Sequence, residues 1–329
     1  MPASDEGKMV ENNTYEEELI IKVSWLYYFS NLTQLEIAKK LNLSRSKVGR
    51  LLRRALADGI IEIKFKPTVQ SFHPAEESEI ENRFKLREAI ITNSSDDPVQ
   101  LLDNLGRAGA RYLNRVLKDN IILGIGMGKT IKSILPHVIS QNYPESTIVS
   151  LSGGFSQAGH DTAAYNISWP IAEKLKARLE QMLCPLIAET QEARNAIISD
   201  SNIQAQMEQA RHSDIGLVSI GPVNHAMNLY SMGYIEKKDV NALLDANIVG
   251  EVLSSFYDIS GNVIQTELNQ RSLGLEIPDL KNIPTCVAIS GGLDKTEAIL
   301  GALRSGFLDV MITDIDTANA VIQLDNQAG

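Results

Sequence analysis

Basic residues crowd into one short segment of an otherwise acidic chain. The 329-residue sequence carries a formal net charge of -10, yet residues 33–66 hold nine Lys or Arg against three Asp or Glu. This segment therefore carries +6 and the remainder -16. Clustered basic side chains neutralise phosphates, and an arginine can bind a guanine edge through two hydrogen bonds. The asymmetry indicates a nucleic-acid-binding module attached to an acidic body, with a solvated basic face as the alternative.

Glycine-rich turns follow apolar runs in the rest of the chain and offer backbone N–H groups to an anion. The sequence does not match two known phosphate-binding motifs. A Walker A loop would require glycine at the position of Leu123, and a dinucleotide-binding fingerprint that starts at Gly124 would require glycine at the position of Lys129. Tight strand-to-helix turns explain any one of the glycine segments. Four in one domain favour a small phosphorylated or hydroxylated ligand. The segments are Gly124–Thr130, Ser152–Gly154, Gly221–Pro222 and Ser290–Gly292.

Charged side chains lie close to these turns. Lys295 follows a glycine pair at a predicted helix start, where it can neutralise a phosphate or simply be an exposed first-turn lysine. Glu251 can accept hydrogen bonds from hydroxyls or be a helix-start acid. Asn166 and Asp314 are further polar candidates. The five histidines show no metal spacing, and no serine sits in a nucleophile elbow, so we predict no metal, no cofactor and no catalytic set.

Three helices are predicted around the basic segment. Apolar residues recur at helical spacing within 15–29. Thr33 and Glu36 fit a capping box for a second helix that ends near Asn42. Ser44 caps a third helix, which Asp58 and Gly59 stop. A short helix, a three-residue turn and an arginine-rich helix form the layout in which the later helix enters the major groove of DNA.

The polar faces of the second and third helices supply the predicted DNA contacts. The residues nearest the start of the third helix are placed to reach bases. The predicted contacts are Thr33, Gln34, Ser44, Arg45, Ser46, Lys47, Arg50, Arg53 and Arg54. Residues 60–66 alternate apolar and charged and are predicted to form a strand that acts as a wing. A helical bundle or a dimerisation domain without a nucleic-acid role is the alternative.

The chain beyond this domain is predicted to be α/β. Residues 67–74 contain two prolines and are interpreted as a linker between a winged helix-turn-helix domain (14–66) and an effector-binding and oligomerisation domain (75–325). Apolar runs then alternate with helical stretches, which indicates a Rossmann-like, mostly parallel sheet covered by helices. The predicted strands are 89–92, 121–126, 147–151, 184–188, 215–220, 285–289 and 310–313. The predicted helices include 99–117, 131–139, 163–179, 295–305 and 316–322.

In such a sheet, ligands bind beyond the carboxyl ends of the strands, at a topological switch point.

Hydrophobic residues make up 43% of the sequence and charged residues 22%, which is ordinary for a soluble globular protein. The apolar runs of the sequence are far shorter than the roughly 20 residues that a membrane-spanning helix requires. With two cysteines and no metal-type spacing, a reducing cytoplasm is the expected compartment.

Taken together, these motifs resemble those of the SorC family of sugar-responsive bacterial transcription regulators, over nearly the whole chain. The N-terminal match covers Trp25–Tyr28, Leu32–Ala38 and Ser44–Leu52. Further along, the matching positions are Gly124–Thr130, Leu151–Gly154, Ser290–Gly292 with Lys295, and Thr313–Ala318. The resemblance implies an effector domain with the fold of phosphosugar isomerases that works as a sensor.

The resemblance also implies a site, partners and an assembly. It assigns the phosphate of a sugar effector to Gly126, Gly128, Lys129, Thr130 and Lys295, and the pocket lining to Gly153, Gly154, Asn166 and Gly221. It further implies operator DNA as a partner, a homotetramer without a membrane, and repression of a carbohydrate operon. An enzyme of phosphosugar metabolism, an isomerase or deaminase, is the alternative, and it would need a general base and acid that the sequence does not pair.

One departure concerns the acid that should meet the sugar hydroxyls. Family members often have Val-Gly-Asp where this chain has Val249, Gly250 and Glu251. The side chain is one methylene longer, so we expect a different or smaller ligand.

Overall fold

Two units divide the chain, residues Met1–Thr68 and Val69–Gly329. The computed structural model describes residues 5–63, 72–154 and 163–328, with side chains over 15–63, 72–154 and 163–327. The helices are α1 (Asp5–Tyr28), α2 (Gln34–Leu41), α3 (Arg45–Ala57), α4 (Pro74–Phe84), α5 (Pro98–Val116), α6 (Lys129–Lys132), α7 (Ala164–Leu175), α8 (Gln191–Ile198), α9 (Ser201–Arg211), α10 (Asn228–Ser231), α11 (Lys237–Asp245), α12 (Ile277–Leu280), α13 (Thr296–Ser305) and α14 (Ile315–Ala328). The strands are β1 (Glu88–Thr92), β2 (Ile122–Ile125), β3 (Thr147–Ser150), β4 (Arg178–Glu180), β5 (Ile215–Val218), β6 (Gly221–Pro222), β7 (Gly250–Val252), β8 (Ser255–Tyr257), β9 (Cys286–Ile289) and β10 (Val310–Asp314).

The N-terminal unit is a three-helix arrangement around a small apolar core. Ile20 and Val23 of α1, Ile37 of α2, and Val48 and Leu51 of α3 are buried in it. Each helix thus buries one apolar stripe, because residues three and four apart share a face. The three predicted helices are confirmed.

The predicted wing strand at 60–66 is not present in its described part. Residues 60–63 have no strand assignment, and Lys64, Phe65 and Lys66 lie outside the described residues. The Ile61 N–H donates to the Ala55 carbonyl oxygen at 3.0 Å, and Ile60 and Ile61 pack against the helical core. This segment therefore closes the end of α3 instead of extending as a strand.

The second unit is built on a parallel sheet of seven strands in the order β1-β10-β9-β5-β2-β3-β4. Side chains alternate between its faces: Met311 joins one core, while Val310 and Ile312 join the core on the opposite face. Both faces are therefore buried under helices, as expected for a parallel sheet. The α/β prediction is confirmed.

The chain reverses its direction across the sheet between β2 and β5. From β2 it proceeds outward through β3 to β4, and it then returns to β5 on the other side of β2 before reaching β9 and β10. This is the switch point, where the loops at the carboxyl ends of β2 and β5 diverge. A second, antiparallel sheet of three strands, β6-β7-β8, follows directly after β5.

Three predicted elements are wrong. Residues 184–188 form no sheet strand; they meet residues 271–273 through single bonds, such as Leu273 N–H to the Leu186 carbonyl at 2.9 Å. The predicted helix 163–179 ends at Leu175, because Lys176 adopts a left-handed backbone with φ 52°, and the chain then forms β4. The predicted helix 131–139 is reduced to the short α6, followed by turns up to His137.

The predicted linker 67–74 ends where α4 begins. Residues 67–71 lie outside the described part of the chain, and Pro74 is the first residue of α4. Proline suits that position, because the first helical N–H has no intrahelical acceptor. The His73 ring contacts the Asn93 side-chain oxygen at 3.1 Å and fixes this entry point to the α/β unit.

Candidate functional site

Two helix caps fix the geometry of the helix-turn-helix. The Thr33 amide donates to the Glu36 carboxylate at 2.7 Å, and the Glu36 amide donates to Thr33 Oγ1 at 3.3 Å, which completes the predicted capping box. The Thr33 hydroxyl also donates to this carboxylate at 2.7 Å, and the two hydrogen bonds from the Thr33 hydroxyl and amide lower the pKa of Glu36. Ser44 Oγ accepts the Lys47 amide at 3.2 Å at the start of α3. Asn42, with φ 53°, makes the sharp turn between the two helices.

The predicted DNA contacts lie together on the outer side of α2 and α3. Arg45, Ser46, Lys47, Arg50 and Arg53 are exposed, as are Thr33 and Ser44, whereas Gln34 is half-buried. Gln34, Arg45, Ser46 and Arg53 line one groove with Gly49. The caps already occupy the Thr33 and Ser44 hydroxyls, so their roles at DNA remain predictions. A contiguous basic face of this shape can dock on a phosphate backbone.

Arg54 differs from its neighbours because two carboxylates hold it. Its guanidinium contacts Glu16 and Asp58, each at 3.0 Å, and both contacts raise the pKa of Arg54. Its charge is therefore partly neutralised within the unit. Of the predicted basic contacts, Arg54 is the one we expect to contribute least to DNA binding.

The carboxyl ends of β2 and β5 approach closely at the switch point. The Gly126 N–H donates to the Leu217 carbonyl at 2.8 Å. Ser219 Oγ donates to the Met127 carbonyl at 3.0 Å. Gly128 lies against Ser219 with φ 128°, so a Cβ there would come within 2.5 Å of the serine hydroxyl. The glycines thus permit a tight turn that brings Lys129 and Thr130 to the crevice.

A cavity of about 540 Å³ opens at this crevice. Six predicted effector residues line it: Gly128, Lys129, Thr130, Gly221, Glu251 and Lys295. Gly126 supports the turn from behind without lining the cavity. Other polar lining residues are Ser95, Asp96, Ser219, Asn224, Asn228 and Asp294, and the apolar wall consists of Leu101, Leu102, Leu105, Met127, Met227, Leu229 and Met232.

Two lysines of the cavity lining lie near enough for the charge of one to act on the other. Lys129 is exposed and Lys295 is half-buried, and both line the same space. Burial and the nearby Lys129 charge lower the pKa of Lys295, while Asp294, Glu251 and Asp314 act in the opposite direction. An anionic group placed between the two ammonium groups would relieve their mutual repulsion. The arrangement can hold a phosphate or a carboxylate.

Glu251 lies in β7 and is held in place by its neighbours. It faces Gly221 across the β6–β7 ladder, and its carboxylate accepts the Ser254 N–H at 3.1 Å. Burial raises the pKa of Glu251 to about 7, against the lowering effects of the Ser254 amide and of Lys295. Near neutral pH this carboxyl can therefore either accept or donate a hydrogen bond.

Gly221→Ala is expected to disturb the cavity, because a Cβ at this position would overlap the Glu251 carboxylate. The carboxyl would have to leave its place beside the Ser254 amide. Because the clash is with the far end of a flexible side chain, we expect a loss of about 1 kcal/mol or less in the free energy of unfolding at pH 5, where the carboxyl is protonated, measured by urea denaturation. Gly154→Ala is the matched control, since a Cβ there would meet its nearest atoms at 3.5 Å. Equal losses in the two variants would contradict this account.

The pH dependence of stability should report on Glu251. A pKa raised from 4.5 to about 7 means that the folded state binds more protons than the unfolded state between those values. The corresponding stability is present below pH 4.5 and is lost as the pH rises towards 7. Glu251→Gln should therefore gain stability relative to the wild type between pH 5 and 8, by about 1–3 kcal/mol. Urea unfolding across this range, with the exposed Glu297→Gln as control, measures it; a pH-independent difference would contradict it.

Asp314 shapes the Ser290–Gly292 turn instead of lining the cavity. It accepts Ser94 Oγ at 2.8 Å, the Gly292 N–H at 2.9 Å and Thr317 Oγ1 at 2.6 Å. These bonds lower the pKa of Asp314 against the effect of its burial. A buried carboxylate with its hydrogen bonds satisfied is a rigid anchor. Asp314 therefore fixes the loop that presents Lys295.

Besides Gly126, three predicted effector residues lie outside the lining of this cavity. Gly153 donates its N–H to the Leu273 carbonyl at 2.8 Å, and its Cα packs against the Pro185 carbonyl. The Gly154 carbonyl accepts the Tyr234 hydroxyl at 3.0 Å. Asn166 lies in the first turn of α7. They follow β3, on the far side of β2 from β5, so the cavity gathers the loops of β2, β5, β9 and β1 without them.

The cavity also contains polar residues that were not predicted from the sequence: Ser95, Asp96, Ser219, Asn224 and Asn228. A signal was available for Ser95 and Asp96, because they lie within four residues of the end of the predicted strand 89–92, and the carboxyl ends of strands share one edge of a parallel sheet. Asn224 and Asn228 follow the short β6, a two-residue strand that no periodicity reveals. The apolar wall gave no signal, because its residues have the spacing of ordinary core positions.

A helix-turn-helix with a basic face, joined in one chain to an α/β unit with a polar cavity, defines the class of ligand-responsive DNA-binding regulators. Comparison with known proteins agrees. Residues 71–323 match the family described as "Putative sugar-binding domain", and residues 16–58 match "Sigma-70, region 4". In the described residues, no helix is long and apolar enough to cross a membrane.

Similar proteins span nearly the whole chain. The deoxyribonucleoside regulator of Bacillus subtilis is 28% identical over 308 residues, covering 93% of this chain and 98% of that protein. The sorbitol operon regulator of Klebsiella pneumoniae is 27% identical over 320 residues, covering 94% and 99%. The crystal structure of the full-length K. pneumoniae regulator SorC aligns with a TM-score of 0.73 at 26% identity, covering 93% of this chain and 98% of SorC.

This chain belongs to the SorC family of sugar-binding transcriptional regulators. The predicted resemblance is confirmed, as is the reading of the protein as a DNA-binding regulator instead of a phosphosugar isomerase or deaminase, because the relatives are named as transcriptional regulators.

Proposed function

We propose that this regulator represses a carbohydrate-utilisation operon and that a phosphorylated sugar switches its binding to operator DNA. The observation that carries the proposal is the cavity at the β2–β5 switch point, whose lining combines Lys129 and Lys295 with hydrogen-bonding side chains and an apolar wall. The names of the relatives, which refer to sorbitol, erythritol and deoxyribonucleosides, support a ligand of this class.

The three kinds of lining match the three parts of a sugar phosphate. The ammonium groups of Lys129 and Lys295 would neutralise the phosphate, with the Gly128 turn allowing close approach. Asn224, Asn228 and Glu251 would bond hydroxyls. The apolar wall would cover the C–H face of the carbon chain, as apolar surfaces do in most small-molecule sites.

Switching requires that the effector bind one assembly more tightly than the other, because a ligand with equal affinity for both states shifts nothing. We propose a homotetramer in the cytoplasm that reads a two-fold symmetric operator, with half-sites separated by whole turns of DNA. The Thr33–Arg54 face would make the DNA contacts, with Arg54 as a minor contributor. The effector would then redistribute the DNA-competent and DNA-incompetent assemblies.

Isothermal titration of the full chain with a panel of sugar phosphates and their dephosphorylated counterparts tests the ligand class. We expect one phosphorylated sugar to bind and its dephosphorylated form to bind at least about tenfold more weakly. This is the smallest loss of affinity expected when a charged, hydrogen-bonded group is removed. Equal affinity for the two forms would contradict the phosphate assignment. Binding of neither form by any member of the panel would contradict the sugar-phosphate class.

A further inference from the structure

The two edges of the seven-stranded sheet differ in how their backbone groups are used. At the β1 edge, the Ala89 N–H donates to the Glu81 carboxylate at 2.9 Å and the Ile91 N–H donates to the Glu77 carboxylate at 3.0 Å. Two side chains of α4 therefore occupy the outward amides of β1. Such covering is one way in which proteins prevent further strands from adding to a sheet.

The β4 edge has no such cover in the described part of the chain. Arg178 donates its N–H inward to the Ser146 carbonyl at 2.9 Å, and β4 pairs in parallel with β3. In a parallel ladder the next residue then directs both its N–H and its C=O outward. That residue is Leu179, and no hydrogen bond among the described residues uses these two groups. An open strand edge of this kind is a template for another strand.

We propose that β4 pairs with β4 of a second copy of this chain, antiparallel and centred on Leu179, so that the two sheets join into one. A two-fold axis through this point makes the two Leu179 residues exchange both N–H···O bonds. Arg178 then stands opposite Glu180 of the partner subunit, and Glu180 opposite Arg178 of the partner subunit. The inference rests on the proposed homo-oligomer and assigns its contact surface.

Charge is the argument for a second copy over an unrelated strand. Residues directly opposite each other in an antiparallel pair have Cβ atoms about 4.5–5.5 Å apart, so opposite charges attract and like charges repel. The order Arg-Leu-Glu is self-complementary when read antiparallel against itself. Both charged side chains of β4 are exposed, and the Arg178 side chain is 66% exposed beside its own Glu145.

Helix α7 continues the same surface. A two-fold axis perpendicular to the sheet keeps corresponding faces on the same side, so the α7 helices of both copies lie beside the joined strands. Tyr165 and Trp169, one turn apart on α7, are 48% and 52% exposed. Gln181, directly after β4, donates to Ser168 of α7 at 3.4 Å and ties the helix to this edge. Exposed aromatic rings beside an open strand edge are typical of interfaces.

Charge reversal with compensation tests the pairing. Arg178→Glu, Glu180→Arg and the double variant with both changes are compared with the wild-type full chain by sedimentation equilibrium over a wide concentration range. Each single variant places two like-charged pairs in the interface, and we expect the dissociation constant of this contact to rise at least about tenfold. The double variant restores two opposite-charged pairs and should return to within about threefold of the wild type. The exposed Arg111→Glu on α5 is the control and should change nothing.

Several results would overturn the pairing. A monomeric wild type, or single variants that assemble normally, would do so. Equal dissociation in the single and double variants would assign the effect to contacts within one subunit, such as Arg178 with Glu145. Iodide quenching of Trp169 fluorescence in a Trp25→Phe background gives a second readout. Equal quenching in the associated protein and in the protein dissociated by dilution would also contradict the pairing. Effector titration of the same variants tests the proposed function separately, since the cavity lies at another part of the sheet.

Discussion

Replacing Lys295 by alanine is expected to remove most of the response to the effector. Lys295 lies directly before α13, on a loop that Asp314 and Thr317 hold through the Gly292 amide at 2.9 and 2.8 Å. A hydrogen bond to a charged group contributes about 1.5–3 kcal/mol. The dissociation constant of the sugar phosphate should therefore rise by about 10- to 150-fold in Lys295→Ala. Calorimetric titration measures it.

Two comparisons make this result specific to the site. Lys281→Ala removes an exposed lysine that does not line the cavity, and it should bind the effector like the wild type. Lys295→Ala should retain operator binding in the absence of effector, because Lys295 belongs to the α/β unit and not to the helix-turn-helix. Unchanged effector affinity in Lys295→Ala would place the phosphate elsewhere.

Arg50→Ala is expected to weaken operator binding by about 1–3 kcal/mol. Arg50 is exposed on the polar face of α3, whose opposite face is fixed in the core by Val48 and Leu51. If Arg50 binds a base, the loss should be largest on the intact operator and should disappear on an operator mutated at that base. If Arg50 binds a phosphate, the loss of affinity should be the same on every DNA sequence. The slope of log affinity against log salt concentration should then decrease in magnitude by about one.

Arg54→Ala serves as the matched control, because it removes the same charge from the same helix. The Arg54 guanidinium already forms ion pairs with Glu16 and Asp58. We therefore expect Arg54→Ala to lose less operator affinity than Arg50→Ala. Both variants are measured by fluorescence anisotropy at several stated salt concentrations. A larger loss for Arg54 than for Arg50 would reverse the proposed ranking of the basic face.

The helix-turn-helix was predictable because its signals are local. The Thr33 and Glu36 capping box, the Ser44 cap and the stop after Ala57 each depend on residues within one or two turns. The described part of the predicted wing, residues 60–63, was not predicted correctly, since a strand exists only where a partner strand pairs with it, and Ile60 and Ile61 pack on helices instead. For the same reason β4 was missed: three residues offer little periodicity, and its pairing with β3 is a tertiary contact.

The cavity was predictable only in part, for a related reason. The turns after β2, β5 and β9 were recognised because glycine follows an apolar run, and these strands are neighbours in the sheet. The sequence cannot state strand order, so the turn after β3 at Gly153 and Gly154 was included although β3 lies beyond β2. The loop after β1 was left out, although α5 brings Leu101 and Leu105 to the same cavity.

Operator binding of the full chain, measured at a stated salt concentration with and without sugar phosphates, decides whether this protein is a DNA-binding regulator switched by a sugar phosphate. The DNA is the region upstream of the protein's own gene, with a scrambled duplex as control. We expect specific binding that one phosphorylated sugar weakens in the wild type and fails to weaken in Lys295→Ala. Specific binding that no sugar phosphate alters, or that the same compound alters equally in both proteins, would contradict it.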